Sequence, residues 1–297
     1  MLFGFGVGVL VGTTGMGGGS LMTPLLILLF GIKPIVAVGT DLAYAAVTKT
    51  VGGIRHFHKG TVHLGIAGWL AVGSVPGALG GVALLEWLNL EDHLVPAIAA
   101  SLGLTGALIL ARALVLTGAG ERAEIALDGR HKAFAAALGL SVGCVLGVTS
   151  AGSGTLIAVG LILGFRLTPR RVVGTDVAHA AVLLWVASLG HLVSGNVDLG
   201  LAGTLLLGSV PGVWVGTGLA TRLPERGLRP ALGIVLFTSG LALLNKAGVE
   251  VPAWVLVAVP LALGALSWAA LRRAPTSPAA SRARPVPARP APHSPQR

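Results

Sequence analysis

Two short stretches in this chain set glycine and hydroxyl side chains into otherwise apolar sequence: GMGGGS at residues 15–20 and SAGSGT at 150–155. Each stands just before an apolar run that reads as a helix. The first N–H groups of a helix have no intrahelical acceptor, and the aligned peptide dipoles add partial positive charge there. Glycine lets an anion reach the backbone, and Ser20, Ser153 and Thr155 can add hydroxyl donors. Gly17, Gly18, Gly19 and Ser20, with Gly152, Ser153, Gly154 and Thr155, are therefore candidate anion-binding residues. The competing reading is that these glycines only let helices pack closely.

A second pair of motifs follows. The triplet GTD occurs at residues 39–41 and 174–176, about 10 Å past the helix starts that Pro34 and Pro169 imply. Thr40 and Thr175 are candidate solute contacts. Asp41 and Asp176 lie inside apolar runs, where a lone ionised carboxylate costs several kcal/mol and needs a partner, a proton or water. They are candidate proton-coupling groups, expected to carry a proton part of the time. The alternative is an aspartate that only joins helices by hydrogen bonds. His56 and His191 end the helices begun at Pro34 and Pro169, and imidazole titrates near neutrality, so a proton relay is open to them. So is a plain helix-end role at the headgroups. Lys49 could pair with Asp41, help hold an anion, or snorkel to the interface. Tyr44 and His179, one turn beyond the aspartates, are equivalent polar positions that could line the same cavity.

The elements that position these groups occur twice. Residues 12–81 align with 147–216 without a gap, 135 positions apart, with 33 of 70 identical. A repeat this long is not a solenoid unit of roughly 20–50 residues. The chain is 54% hydrophobic and 11% charged, against about 25% charged in soluble domains, which makes it an integral membrane protein. Its net charge of +10 resides in loops and the tail, so nucleic acid is not the partner. The single cysteine, Cys144, excludes an intrachain disulfide and any multi-cysteine metal site. With no Walker loop, HExxH, G-x-S-x-G elbow or redox cysteine pair, the chain reads as a non-enzyme without cofactor or metal. "GSVPG", at 73–77 and 208–212, reads as a kink and packing device.

Apolar runs near 20 residues predict membrane helices at 34–54, 63–85, 93–115, 169–191, 199–220, 228–245 and 252–271. The arms flanking each Gly-rich stretch, about 16–22 Å long as helices, are too short to cross a ~30 Å core. Read as hairpins that enter and leave on one side, they put 18 of the 21 Lys and Arg residues on one face, obeying the positive-inside rule. Each repeat then makes three full crossings, and the second starts on the opposite face. The expected fold is all-α integral membrane: two inverted-topology repeats, each a broken helical hairpin plus three membrane helices, with one extra C-terminal helix. The expected organisation is a first repeat at 1–115, a cytoplasmic linker at 116–132, a second repeat at 133–245, a further membrane helix at 246–273 and a disordered Pro/Arg-rich tail at 274–297.

The stretch "GVGVLVGTTGMGGGSLMTPLLILLFGIKPIVAVGTDLA" resembles the opening of the TauE/SafE sulfite exporter family, also called the 4-toluene sulfonate uptake permeases. The second repeat, through "HLVSGNVDLGLAGTLLLGSVPGVWVGTGLA", is similar to that family's second half. The resemblance implies a carrier of small sulfur-containing anions, sulfite or organosulfonates, with no enzyme activity and no prosthetic group. Family members often have a small polar residue after "GT", whereas this chain has Asp41 and Asp176, which favours coupled proton movement. The expected partners are a small anionic solute and the bilayer, with a homodimer as a candidate assembly. The expected location is the cytoplasmic membrane, multi-pass, with the C-terminal tail in the cytoplasm. The alternatives are a proton or cation pathway built on the aspartates, and a non-transporting membrane scaffold.

Overall fold

A computed structural model describes residues 1–14, 19–114, 127–220 and 225–273. The described residues form helices α1 (Leu2–Thr14), α2 (Gly19–Phe30), α3 (Pro34–His58), α4 (Leu64–Trp87), α5 (Glu91–Leu114) and α6 (Gly129–Thr149). They continue with α7 (Ser153–Phe165), α8 (Pro169–Val193), α9 (Leu199–Ala220), α10 (Glu225–Lys246) and α11 (Ala253–Arg273). Proline at the first helical position starts α3 and α8, where the missing N–H is not needed. Five of these helices are long and apolar enough to cross a membrane: those at 64–87, 91–111, 129–149, 169–193 and 199–216. α3 matches α8 in length, at 25 residues each, but its charges, Asp41, Lys49 and Arg55, are spread along it, whereas those of α8, Arg170, Arg171 and Asp176, gather in its first turns.

The two helices that flank each Gly-rich stretch come together at their far ends. Phe3 and Phe30 stack edge to face at 4.6 Å, joining the start of α1 to the end of α2. Phe134 and Phe165, at 5.7 Å, join α6 and α7, with Phe165 the equivalent of Phe30 and Phe134 standing about one turn before the position that matches Phe3. Side chains of α6 fill the space above α7's glycines, Leu138 over Gly160 and Phe134 over Gly164, so these two helices run antiparallel. One expectation needs adjustment. α6 is 21 residues, or about 31 Å, rather than a short arm. Asp128 accounts for the extra turn at its start: its carboxylate accepts the His131 N–H at 2.8 Å and so caps the first turn.

Glycine sets the packing partners. Gly139, Gly143 and Gly147 of α6 abut Leu70, Ser74 and Ala78 of α4, and Gly73, Gly77 and Gly81 of α4 abut Ala136, Leu140 and Cys144. These two helices therefore run parallel with their backbones in contact, the small-residue packing expected within a membrane. The equivalent pair in the other direction is α1 with α9. Gly4 and Gly8 meet Leu205 and Ser209, and Gly208, Gly212 and Gly216 meet Met1, Phe5 and Val9. Each hairpin is thus packed on a helix of the other repeat, and the two repeats are interleaved.

Equivalent helices themselves meet antiparallel. In α3 and α8, Gly53 lies against Ala178, and Trp185 Nε1–H donates to Thr50 Oγ1 at 2.9 Å. In α5 and α10, Gly106 lies against Gly233, and Gly240 against Ala99 and Gly103. Basic residues collect at one end of this bundle. His63, in the turn before α4, has its pKa held below the ordinary value by burial first, with the Arg171 guanidinium of α8 adding to the effect. At the same end, the Lys132 ammonium of α6 stands 5.7 Å from the Trp69 ring of α4. At the opposite end, Lys246 Nζ donates to the Ile27 carbonyl near the C-terminus of α2, at 2.8 Å.

Candidate functional site

The second Gly-rich break is fully described. α6 ends in Ser150, a non-glycine residue at φ 57°, and α7 is preceded by Gly152 at φ +91°. Glycine alone tolerates the second conformation without a Cβ penalty. The first helical bond of α7 is from Leu156 N–H to the Gly152 carbonyl, at 3.1 Å. The N–H groups of Ser153, Gly154 and Thr155 come before it and have no backbone acceptor among the described residues. All three residues are partly exposed, although the break lies within the bundle. Gly147, just upstream, sits opposite Ala78, about 21 Å along the ~36 Å length of α4.

A buried hydroxyl cluster surrounds this break. Asp41 is fully buried; its Oδ2 accepts from Thr23 Oγ1 at 2.6 Å and from Ser150 Oγ at 2.9 Å. The Thr23 and Ser150 hydroxyls also touch each other. Three elements meet here: the second turn of α2, the second turn of α3, and the break that ends α6. On the other side of Ser150, Thr149 Oγ1 reaches Ser101 Oγ of α5 at 3.4 Å, and Ser101 Oγ donates to the Ala151 carbonyl at 3.2 Å. Asp176, 8% exposed, is close to the break as well: a Cβ placed on Gly154 would stand 3.4 Å from its Oδ2.

The two aspartates thus differ, although the sequence repeats them. The residues equivalent to Thr23 and Ser150 are Ala158 and Gly15, so the sequence does not repeat the two hydroxyls that donate to Asp41. Lys49 is half-buried and about 12 Å further along α3, and among the described residues it forms no ion pair with Asp41.

The other candidates fall into two groups. Thr40 Oγ1 accepts the Asp198 N–H at 3.0 Å, and Thr175 Oγ1 accepts the His63 N–H at 2.9 Å. Each GTD threonine thereby pins the loop that leads into α9 or α4 of the opposite repeat. Gly39 and Gly174 stand one residue earlier, under the backbones of Asn196 and Thr61, where a side chain would not fit. Each histidine is far from the aspartate of its own helix, but the antiparallel pairing of α3 with α8 sets His191 against Gly39, two residues before Asp41: a Cβ on Gly39 would stand 3.1 Å from His191 Cβ. His56 and His191 lie 15 residues beyond Asp41 and Asp176, about 22 Å along α3 and α8. His56 Nδ1 contacts Thr61 Oγ1 at 2.9 Å within its own turn. His191, fully buried, donates from Nε2 to the Gly147 carbonyl at 2.8 Å and so ties α8 to the turn of α6 before the break. His179 contacts Ser74 Oγ at 2.8 Å, and Tyr44 is fully buried. Gly17 and Gly18 lie outside the described residues; α2 begins at Gly19.

Sequence reading did not single out Thr23, Ser101, Thr105 or Thr149. The signal for two of them was there: Ser101 and Thr105 are four apart, on one face of an apolar span.

An interleaved bundle of apolar helices, with a broken helix and buried carboxylates inside it, is the build of a polytopic membrane protein. The comparisons with known proteins give its family. The chain belongs to the sulfite exporter TauE/SafE family, whose model matches residues 1–243. It is 36% identical to the probable membrane transporter protein YjnA of Bacillus subtilis, over 82% of this chain and 98% of that protein. It is 31% identical to the probable membrane transporter protein YdhB of the same organism, over 81% and 97%. A probable membrane transporter protein of Xylella fastidiosa is 27% identical over 73% of this chain and 82% of its own length. No solved structure matches.

Proposed function

We propose that this transporter moves a small sulfur-containing oxyanion, sulfite or an organosulfonate, across the cytoplasmic membrane, with proton movement coupled through Asp41 and Asp176. The observation that carries this reading is the N-terminus of α7, which presents inside the bundle three N–H groups without backbone acceptors among the described residues, beside hydroxyl side chains. The family's name supplies the sulfur. The first break, at the start of α2, would supply the matching half of the site through Gly17, Gly18, Gly19 and Ser20. Thr23 of α2 already meets Ser150 of the second break.

Inverted topology is part of the proposal. Antiparallel contact of equivalent helices supports a two-fold axis across the helix direction, in the membrane plane. The sequence repeats at 1–115 and 133–245 are not the moving bodies, because each hairpin is packed on a helix of the other repeat. Alternating access would rock two mixed bodies about the breaks. The basic end, with the 116–132 linker and the 274–297 tail, would face the cytoplasm. His191, buried between Gly39 and the turn before the second break, would stand on a proton's route to Asp41, and His56 would take the equivalent place in the other repeat. The buried aspartates also favour a second reading, a proton or cation pathway without an anion.

Ligand-induced stabilisation separates the two. A ligand that binds only the folded state at 100 times its Kd adds about 2.7 kcal/mol. Sulfite or methanesulfonate should therefore raise the thermal midpoint of the purified protein in a concentration-dependent way, with chloride and alkali cations inert. Stabilisation by sodium or rubidium, with none by any oxyanion, would favour the second reading.

A further inference from the structure

Thr105 of α5 carries a hydroxyl that is buried, 1% exposed as a residue, and without a hydrogen-bond partner among the described residues. Buried polar groups are nearly always paired, so an exception calls for a reason. This one points at the break: a Cβ added to Gly152 would stand 2.8 Å from Thr105 Oγ1 and 3.1 Å from Ser101 Oγ. Gly152 is the residue that caps α7, and the N–H groups that follow it have no backbone acceptor among the described residues. Ser101 Oγ donates to the Ala151 carbonyl and receives Thr149 Oγ1 at 3.4 Å, so it holds the approach to the break in place.

We propose that Thr105 is a solute-contacting residue that completes an oxyanion site with the N-terminus of α7, with Ser101 as its positioning neighbour. The inference deepens the oxyanion reading and rests on it. The donors offered, backbone N–H groups and hydroxyls, are all neutral and come from two directions. They suit a small group with several acceptor oxygens, such as sulfite or a sulfonate headgroup. Thr105 Oγ1 has no solvent access in the closed packing seen here, so the solute meets it when α5 and the second hairpin part.

The site is unequal between repeats. Gly106 packs on residues 233 and 237, and Gly240 on 99 and 103, so α5 and α10 correspond at a spacing of 134. Ser101 then corresponds to Val235, and Thr105 to Ser239. The second break therefore has the fuller set of hydroxyls.

The test is equilibrium binding of radiolabelled sulfite to the purified full-length protein. Thr105→Val keeps the shape and removes the hydroxyl. A hydrogen bond to a charged group is worth enough to weaken binding about tenfold or more when it is lost. Thr105→Ser should stay within about threefold of the parent, and Thr105→Ala should repeat the loss seen with valine. The thermal midpoint of Thr105→Val without ligand should be unchanged or higher, because an unpartnered hydroxyl has been removed. If the parent binds sulfite and Thr105→Val binds it equally well, the inference falls and the oxyanion reading stands. If the folded parent binds none of sulfite, methanesulfonate and thiosulfate, both fall together.

Discussion

Gly80 and Gly81 are adjacent in α4, yet the same substitution should have opposite effects at the two. A Cβ on Gly81 would stand 2.5 Å from the Cys144 carbonyl oxygen and 3.3 Å from Cys144 Cα, whereas one on Gly80 meets nothing within 4 Å. The obstacle at Gly81 is helix backbone, so no side chain can turn aside. α6 must move by almost 1 Å, and it then loses contact along its whole line of glycines. Overpacking of this kind costs about 1–3 kcal/mol. Replacing a mid-helix glycine with alanine returns about 0.5–1 kcal/mol at either site. Gly81→Ala should thus destabilise, by up to about 2.5 kcal/mol, and Gly80→Ala should stabilise by up to about 1 kcal/mol. At roughly 2–4 °C per kcal/mol, the two midpoints should differ by several degrees. The chain has six tryptophans, so thermal unfolding in detergent can be followed by intrinsic fluorescence. Equal shifts for both variants, or a neutral Gly81→Ala, would refute the claim that backbone contact between α4 and α6 holds the second hairpin.

Gly152→Ala should abolish the sulfite-induced rise in thermal midpoint, because its φ of +91° and the nearby hydroxyls of Thr105 and Ser101 leave no room for a Cβ. A full ligand shift in that variant counts against the cradle. Thr23→Val removes one of two donors to Asp41 Oδ2 and should lower stability by about 1–3 kcal/mol, read by denaturant or thermal titration. Asp41→Asn and Asp176→Asn should each flatten the pH dependence of flux in proteoliposomes; an unchanged pH profile in the double variant means the aspartates do not couple protons. Cysteines introduced at 125 and 280 in a Cys144→Ser background should resist an impermeant thiol reagent in intact cells, and labelling of either from outside reverses the orientation.

The repeat made much of this architecture readable. The break before α7 and the prolines that start α3 and α8 follow from local rules for glycine, proline and apolar length. Other features depend on which helices meet. Asp41 could be seen as a buried carboxylate, but not that Thr23 and Ser150 would hold it, since its partners lie 18 and 109 residues away. The repeat also hides a difference, because Asp41 and Asp176 look alike while the positions equivalent to Thr23 and Ser150 hold Ala158 and Gly15. Thr40 and Thr175 read as solute contacts from their place beside the aspartates; the loops of the opposite repeat occupy their oxygens. Ser101 and Thr105 lie beyond the gapless alignment, where the spacing of equivalents slips from 135 to 134. The length of α6 turned on the single cap at Asp128.

The central claim is that an oxyanion crosses the membrane through this protein, held at the helix breaks. Counterflow tests it most directly: purified protein in liposomes loaded with unlabelled sulfite, with radiolabelled sulfite added outside. Label should accumulate transiently in loaded vesicles and not in empty or protein-free ones, and Gly152→Ala should remove the exchange. Absence of exchange for sulfite, methanesulfonate and thiosulfate with the folded protein, or exchange of rubidium or sodium in their place, would contradict the account.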